Sequence, residues 1–253
     1  MSLKIERADR IATITLDRPP VNAITLSIYQ EIAEIFEAVA AWDDINCVVF
    51  SAAGSKAFCA GLDLNEFLAA TVEDDPARAA IIRRCFAAIR HAAVPVIAAV
   101  NGPALGAGCV IASVCDIRIA SENARFGMPE INVGRCGGAS HMQRHLPQGM
   151  LRKMYFTGQP ISAQEAYRLG FVQEVVPFDD LAMTAHGLAQ TIAAKAPIGL
   201  RMAKRALNEV EFMQTEAGYE HEQAYSTKLM ATEDAREATR AVVEKRAPIW
   251  VGR

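Results

Sequence analysis

The sequence predicts an α/β protein with a mainly parallel sheet covered by helices, followed by a helical C-terminal part. Three observations carry this. Short strand-like runs alternate with segments of helical periodicity through the first 120 residues, and from residue 178 onward the patterns are helical. With 253 residues, 51% of them hydrophobic, the chain can bury a large core without disulfide or metal staples.

IATITL (11–16) alternates with the period of a half-buried strand, and DRPPVNA then makes a loop. Residues 25–42 place Ile28, Ile32, Ile35, Phe36 and Val39 at helical spacing. CVVF (47–50) is an apolar run of buried-strand type, followed by the small-residue loop SAAGSKAFCAG. Residues 76–91 read as a helix, VIAAV (96–100) as a buried strand, 104–115 as a helix of small residues and DIRIA (116–120) as a strand. Ser162 with Glu165 forms a capping-box pattern, Gly170 marks the end of that helix, and FVQEVV (171–176) supplies a last strand. Helices follow at 178–195, 198–213, 215–230 and 233–245, broken by Pro197. The chain therefore divides into an α/β core over 1–190 and a helical region over 191–253.

Charge and composition narrow the function. With 26 Lys+Arg against 29 Asp+Glu, the formal charge of -3 leaves no strongly basic face for releasing phosphate counterions, so no nucleic-acid partner is expected. Ala92–Cys115 has no charged residue or histidine and is long enough to cross a bilayer. Pro95, Asn101, Gly102, Pro103, Gly106 and Gly108 interrupt it, so it reads as a buried strand, a turn and a buried helix, and no membrane partner is expected. MSLKIERADR has neither an apolar signal region nor an Arg/Ser-rich amphipathic pattern. Six cysteines without C-x-x-C spacing read as reduced thiols, and the expected location is the cytoplasm.

Three loops carry candidate chemistry. Ala57–Leu64 (AFCAGLDL) follows a strand with small residues that let a ligand approach backbone N–H groups, although such loops also serve packing. In Asn101–Cys109 (NGPALGAGC) the free N–H groups at a helix start suit a developing negative charge. Gly106 and Gly108 resemble the opening of a dinucleotide fingerprint. Ile111 stands where its third glycine belongs, and close helix packing is the alternative use of these glycines. In FGMPEI (126–131), ahead of GRCGG (134–138), Glu130 is a carboxylate in an apolar loop, either a proton carrier of raised pKa or a capping acid.

Other polar groups have simpler roles. His141 and His145 stand four apart, but Met142 occupies the place of the glutamate in H-E-x-x-H, so no metal is expected. Asp63 reads as a helix cap, Asp74 and Asp75 as a solvated helix start, and Cys109 and Cys136 lack an evident histidine partner.

Together the blocks IATITLDRP…NA, KAFCAGLDL, PVIAAVNGPALGAGC, ASENARFGMPEINVG, FTGQPISAQEA…LGFVQEVVP and EKRAPIWVGR resemble the enoyl-CoA hydratase/isomerase (crotonase) superfamily across nearly the whole chain. The resemblance implies a crotonase-like spiral of ββα units, with residues 191–253 as a trimerisation region in a homotrimer or dimer of trimers. It implies an acyl-CoA thioester substrate and no separate cofactor, since CoA is part of the substrate. It also implies a thioester enolate held by two backbone N–H groups, placed by block matching at Ala60 and Ala107. Substrate contacts are implied at Val21, Ala23, Ala60, Gly61, Leu62, Asp63, Leu64, Gly106, Gly108 and Val110.

One departure bears on mechanism. Hydratases of the family carry two glutamates. The second matches Glu130, but the first position falls on Val110, which cannot move a proton or hold a water. The usual Pro-Gly-x-Gly-Gly run is also missing from Gly134–His141. The expectation is a lyase or isomerase of this family with Glu130 as single acid/base. The alternative is an acyl-CoA-binding protein without turnover.

Overall fold

The computed structural model describes residues 2–253. The chain opens with a hairpin, β1 (Leu3–Ala8) pairing antiparallel with β2 (Ile11–Leu16). After α1 (Leu26–Ala38) come β3 (Cys47–Ala52), α2 (Leu64–Leu68) and α3 (Asp75–Arg90). The next turns repeat one plan. β4 (Val96–Val100) leads to the short β5 (Ala104–Leu105) and then α4 (Ala107–Val114). β6 (Ile117–Ser121) leads to β7 (Arg125–Gly127), then α5 (Ala139–Met142) and α6 (Gln148–Thr157). β8 (Ile161–Ser162), α7 (Ala163–Arg168) and β9 (Glu174–Val176) close the body.

Each turn thus gives one strand to a large sheet and a short one to a small sheet before a helix returns. The large sheet is six-stranded, in the order β1-β2-β3-β4-β6-β9, and is parallel apart from the first hairpin. The small sheet is β5-β7-β8, and a bridge between Cys59 and Ala104 ties the loop after β3 to its edge.

Strand alternation separates two cores. Val48 and Phe50 of β3 and Val96, Ala98 and Val100 of β4 face the main core with Ile28, Ile32 and Phe36 of α1. Cys47, Val49, Ile97 and Ala99 face the other way, onto Leu181, Ala185, Ala189 and Ala193 of α8 (Leu181–Ala193). α8 therefore covers the far side of the sheet along its whole length.

α9 (Pro197–Val210), with Pro197 in its first turn, is fastened to that body by polar bonds. Lys204 is buried and donates to the Val94 carbonyl and to Asp116, while Asn208 donates to the Arg90 carbonyl. α10 (Thr215–Met230) and α11 (Glu233–Glu244) complete the chain. They leave Tyr219, Met230, Val242 and Val243 exposed. Among the described residues no helix is long and apolar enough to cross a membrane.

Two sequence expectations are corrected. The helix expected over 104–115 begins at Ala107, because Ala104–Leu105 pairs with β7 and Gly106, at φ +52°, breaks the backbone between them. The strand expected over 171–176 is confined to Glu174–Val176, with Phe171 and Val172 serving as core side chains. β1 had no expectation, because only Leu3 of its residues is buried and its pattern is that of an exposed edge.

Candidate active site

The site forms where the connections after β3, β4 and β7 meet. Two buried asparagines hold the first loop. Asn22 Nδ2 donates to the carbonyls of Ala53 and Ala57, both at 3.0 Å, and Asn101 Nδ2 donates to those of Ala52 and Gly54 at 2.9 and 2.7 Å. Such bonds satisfy carbonyls that an irregular buried loop would otherwise strand.

The backbone bonds of this loop then decide which amides are free. Ala60 N–H donates to the Val21 carbonyl at 3.0 Å, and Asp63 N–H to the Ile24 carbonyl at 2.9 Å. Gly61 N–H lies 3.4 Å from Cys59 Sγ. Between them, the parallel bridge of Ile24 with Leu62 turns the Leu62 N–H away from the 21–24 segment, and it has no acceptor among the described residues. The expectation of Ala60 as a free donor is therefore corrected: its hydrogen is spent inside the protein, and the available amide lies two positions on. Ala107 is the first residue of α4, so its N–H has no partner within the helix.

Two glycines let these loops approach each other. A Cβ on Gly61, at φ +99°, would lie 3.0 Å from the Leu105 carbonyl oxygen and 3.9 Å from Ala107 N. A Cβ on Gly106 would lie 2.9 Å from Glu130 Oε1 and 4.0 Å from Gly61 Cα. Glu130 is thus delivered to the same junction from the single 3-10 turn Pro129–Val133 after β7. Its Oε2 is buried without a hydrogen-bond partner, and burial raises its pKa above the ordinary carboxylate value. A carboxyl held this way, beside two backbone donors, can take and return a proton.

Gly108 is brought to the junction for another reason. A Cβ there would lie 2.3 Å from the Cys59 carbonyl oxygen, so this glycine lets α4 pack on the first loop. Val110 is 2% exposed, and its Cγ2 would be 2.8 Å from a Cβ on Gly138. It belongs to the apolar wall between α4 and the loop after Glu130. Val21, Ala23 and Leu62 are half-buried on the two bridged loop segments beside the free amide, and Leu64 is exposed at the start of α2.

Asp63 caps α2 by accepting from the amides of Asn65 and Glu66 at 3.0 and 3.1 Å, and it pairs with Arg18 at 2.6 Å. These bonds, the Glu66 amide first, hold its carboxyl below the usual range. Asp74 is the N-cap residue of α3, as a solvated helix start requires, with its carboxylate on Thr71. His141 packs edge-on against Phe86, with ring centres 5.4 Å apart, and His145 lies beyond the end of α5 and bonds the Ser113 carbonyl at 2.9 Å. Burial lowers both imidazoles, His145 to about 4. No group of three His, Cys, Asp or Glu that could hold a metal occurs among the described residues. Cys109 is buried and burial pushes its thiol up, whereas Cys136 is exposed.

Sequence reasoning missed the Leu62 amide and Tyr155, whose hydroxyl bonds both the N–H and the carbonyl of Gly137 and pins the 134–138 loop. Only the bridge to Ile24 distinguishes the Leu62 amide from its neighbours, and a tyrosine on a helix carries no local signal of a distant glycine.

Fold and sequence together define the class. The enoyl-CoA hydratase/isomerase model matches residues 6–253, and the chain belongs to that family. It is 37% identical to the 2,3-dehydroadipyl-CoA hydratase of Escherichia coli K12 over 259 residues, covering 99% of each chain. It is 35% identical to the (E)-benzylidenesuccinyl-CoA hydratase of Thauera aromatica over 258 residues, covering 100% of each. The crystal structure of an enoyl-CoA hydratase from Bacillus anthracis superposes with a TM-score of 0.96 at 31% identity, covering 100% of both chains, so the expected crotonase fold is the one observed.

Proposed function

We propose that this acyl-CoA enzyme works through a thioester enolate with Glu130 as its single proton carrier. The thioester carbonyl would accept from the N–H groups of Leu62 and Ala107, which stabilise the negative charge that develops as the α-proton leaves. The Glu130 carboxylate takes that proton. Returned to the γ-carbon, it moves a double bond from the 3,4 to the 2,3 position. The charge goes from carboxylate to enolate and back, and no separate cofactor is required. The observation that carries this reading is the Glu130 carboxyl, unpartnered and buried at the glycine junction, with Val110 in place of a second acid.

Hydration of a 2-enoyl thioester in the two-acid manner would need a second group to hold water, and the side chain at 110 is a buried valine. Isomerisation is therefore the reaction the residues favour. The same valine favours a second reading, an acyl-CoA-binding protein without turnover. Assays of 2-enoyl- and 3-enoyl-CoA thioesters for hydration, isomerisation and thioester hydrolysis separate them. Isomerisation that Glu130→Gln abolishes supports the enzyme, and binding without turnover across the panel supports the second reading. Binding should survive EDTA, and its loss would contradict the absence of a metal.

The CoA moiety is proposed to lie along Val21, Ala23 and Gly61–Leu64. The exposed apolar side chains of α10 and α11 support a homotrimer or dimer of trimers built through the C-terminal region, which sedimentation as a monomer at micromolar concentration would contradict. The free cysteines support action in the reducing cytoplasm.

A further inference from the structure

Beyond Glu130 the chain builds a cationic end wall that proton transfer does not use. Arg135 follows on the same turn, its N–H bonded to the Glu130 carbonyl at 2.9 Å, and Gly134, at φ +68°, reverses the backbone between them. The loop that presents it is anchored downstream where Tyr155 grips Gly137. The Arg135 guanidinium sits over the Phe67 ring of α2, 4.2 Å from its centre, and reaches Asp75 at the start of α3, 3.0 Å away. Phe67 belongs to the helix that begins directly after Leu62 and Asp63. Arg135 therefore links the Glu130 turn to the helix leading from the first free amide.

This cation is available. The Asp75 pair engages only Nη2 of five guanidinium donors, and its two side chains are 41% and 46% exposed, so solvent screens it. The Phe67 ring beneath it restrains the guanidinium, whose fork suits a carboxylate. Exposed Leu68 on α2 and Val72 after it supply apolar surface for the intervening methylenes.

We propose that Arg135 is a specificity-determining residue that receives a second, distal carboxylate on the acyl group, so that the preferred substrates are mono-CoA thioesters of dicarboxylic acids. This rests on the acyl-CoA reading above. It agrees with the name of one relative, a 2,3-dehydroadipyl-CoA hydratase, whose six-carbon acyl group ends in such a carboxylate.

The test is binding rather than turnover. Adipyl-CoA and hexanoyl-CoA have the same chain length and differ in the terminal carboxylate, and calorimetry on the full chain compares them. Adipyl-CoA should bind at least ~10-fold more tightly, a preference that weakens with added salt. Arg135→Gln should bring the two ligands within about 2-fold, with measurable hexanoyl-CoA binding reporting that the fold and CoA pocket survive. Asp75→Asn, which removes the competing carboxylate, should widen the preference. Equal binding of the two thioesters by wild type, or a preference that survives Arg135→Gln, overturns the assignment while leaving the acyl-CoA reading in place. Binding of neither thioester overturns both.

Discussion

Two glycine-rich regions meet at Glu130, and they use glycine in opposite ways. At the junction of the first two loops, the space beside Gly61, Gly106 and Gly108 is already filled by backbone or by the Glu130 carboxyl at 2.3–3.0 Å. In the 134–138 loop, Gly134 and Gly137 have nothing within 4 Å and serve only the turn of the chain, while Gly138, where a Cβ would meet Met128 Cε at 2.7 Å and Val110 Cγ2 at 2.8 Å, seats the end of the loop on the frame. The first region is a close-packed frame that aims backbone donors, and its geometry is fixed before a ligand arrives. The second is an exposed strap, fastened by Tyr155, that carries a side chain toward the outer end of the site. Chemistry common to a family suits the frame, and selectivity suits the strap.

The largest expected effect tests whether the frame serves chemistry. Glu130→Gln keeps the shape and the free amides but removes the base. Turnover should fall by roughly 10²–10⁴-fold while acyl-CoA affinity changes little. An active wild type matched by Glu130→Gln in steady-state assays would remove Glu130 from the mechanism.

Stability separates the two glycine classes. Gly108→Ala drives a Cβ into the Cys59 carbonyl, an overpacking cost of about 1–3 kcal/mol that lowers the melting temperature by several degrees in a chain of this size. Gly134→Ala meets no atom and carries only the strain of a left-handed backbone, about 1 kcal/mol. Thermal melts in which Gly134→Ala is the more damaging of the two would reverse the comparison.

The frame was the more legible region. Small residues after CVVF and VIAAV, and an acid after Pro129, marked the three loops before any contact was known, because close approach requires glycine or alanine wherever it occurs. The helices from 181 onward were equally legible, since their periodicity is local. The free amide was not. Which hydrogen between Cys59 and Asp63 remains available depends on pairing with Val21 and Ile24, a distant segment whose register no local pattern specifies. The strap was half legible: its departure from the family run was visible, while Arg135 over Phe67 depends on how α2 folds back.

Val110→Glu asks whether the frame accepts a second acid. The new side chain would sit in a buried position facing the Glu130 turn, so the two carboxyls would raise each other's proton affinity. One could then stay protonated while the other activates water. Hydration of a 2-enoyl-CoA should rise above the wild-type rate. Burial of the added carboxyl should make the variant less stable at pH 8 than at pH 5 relative to wild type. A rate unchanged from wild type, in a variant that still binds acyl-CoA, would show that the missing carboxylate is not what limits hydration.

The smallest effect follows from the proton on Glu130. Burial lifts its folded-state pKa above the unfolded value near 4.5. Below 4.5 both states hold the proton and the residue adds nothing to the pH dependence. Between that value and the raised one, the unfolded chain releases the proton while the folded chain keeps it, so stability falls as pH rises. Above the raised value the penalty is complete. Glutamine has no such proton, so Glu130→Gln should match wild type in melting temperature near pH 4 and exceed it at pH 7–8. Turnover runs the other way, because only the ionised carboxylate is a base, and the wild-type rate should climb as pH rises through that same window. Both report the same folded-state pKa: the stability loss levels off there in thermal melts, and kcat/KM reaches half its maximum there. A melting difference independent of pH would mean that Glu130 is not desolvated in solution, and the junction would then be more open to water than its packing describes.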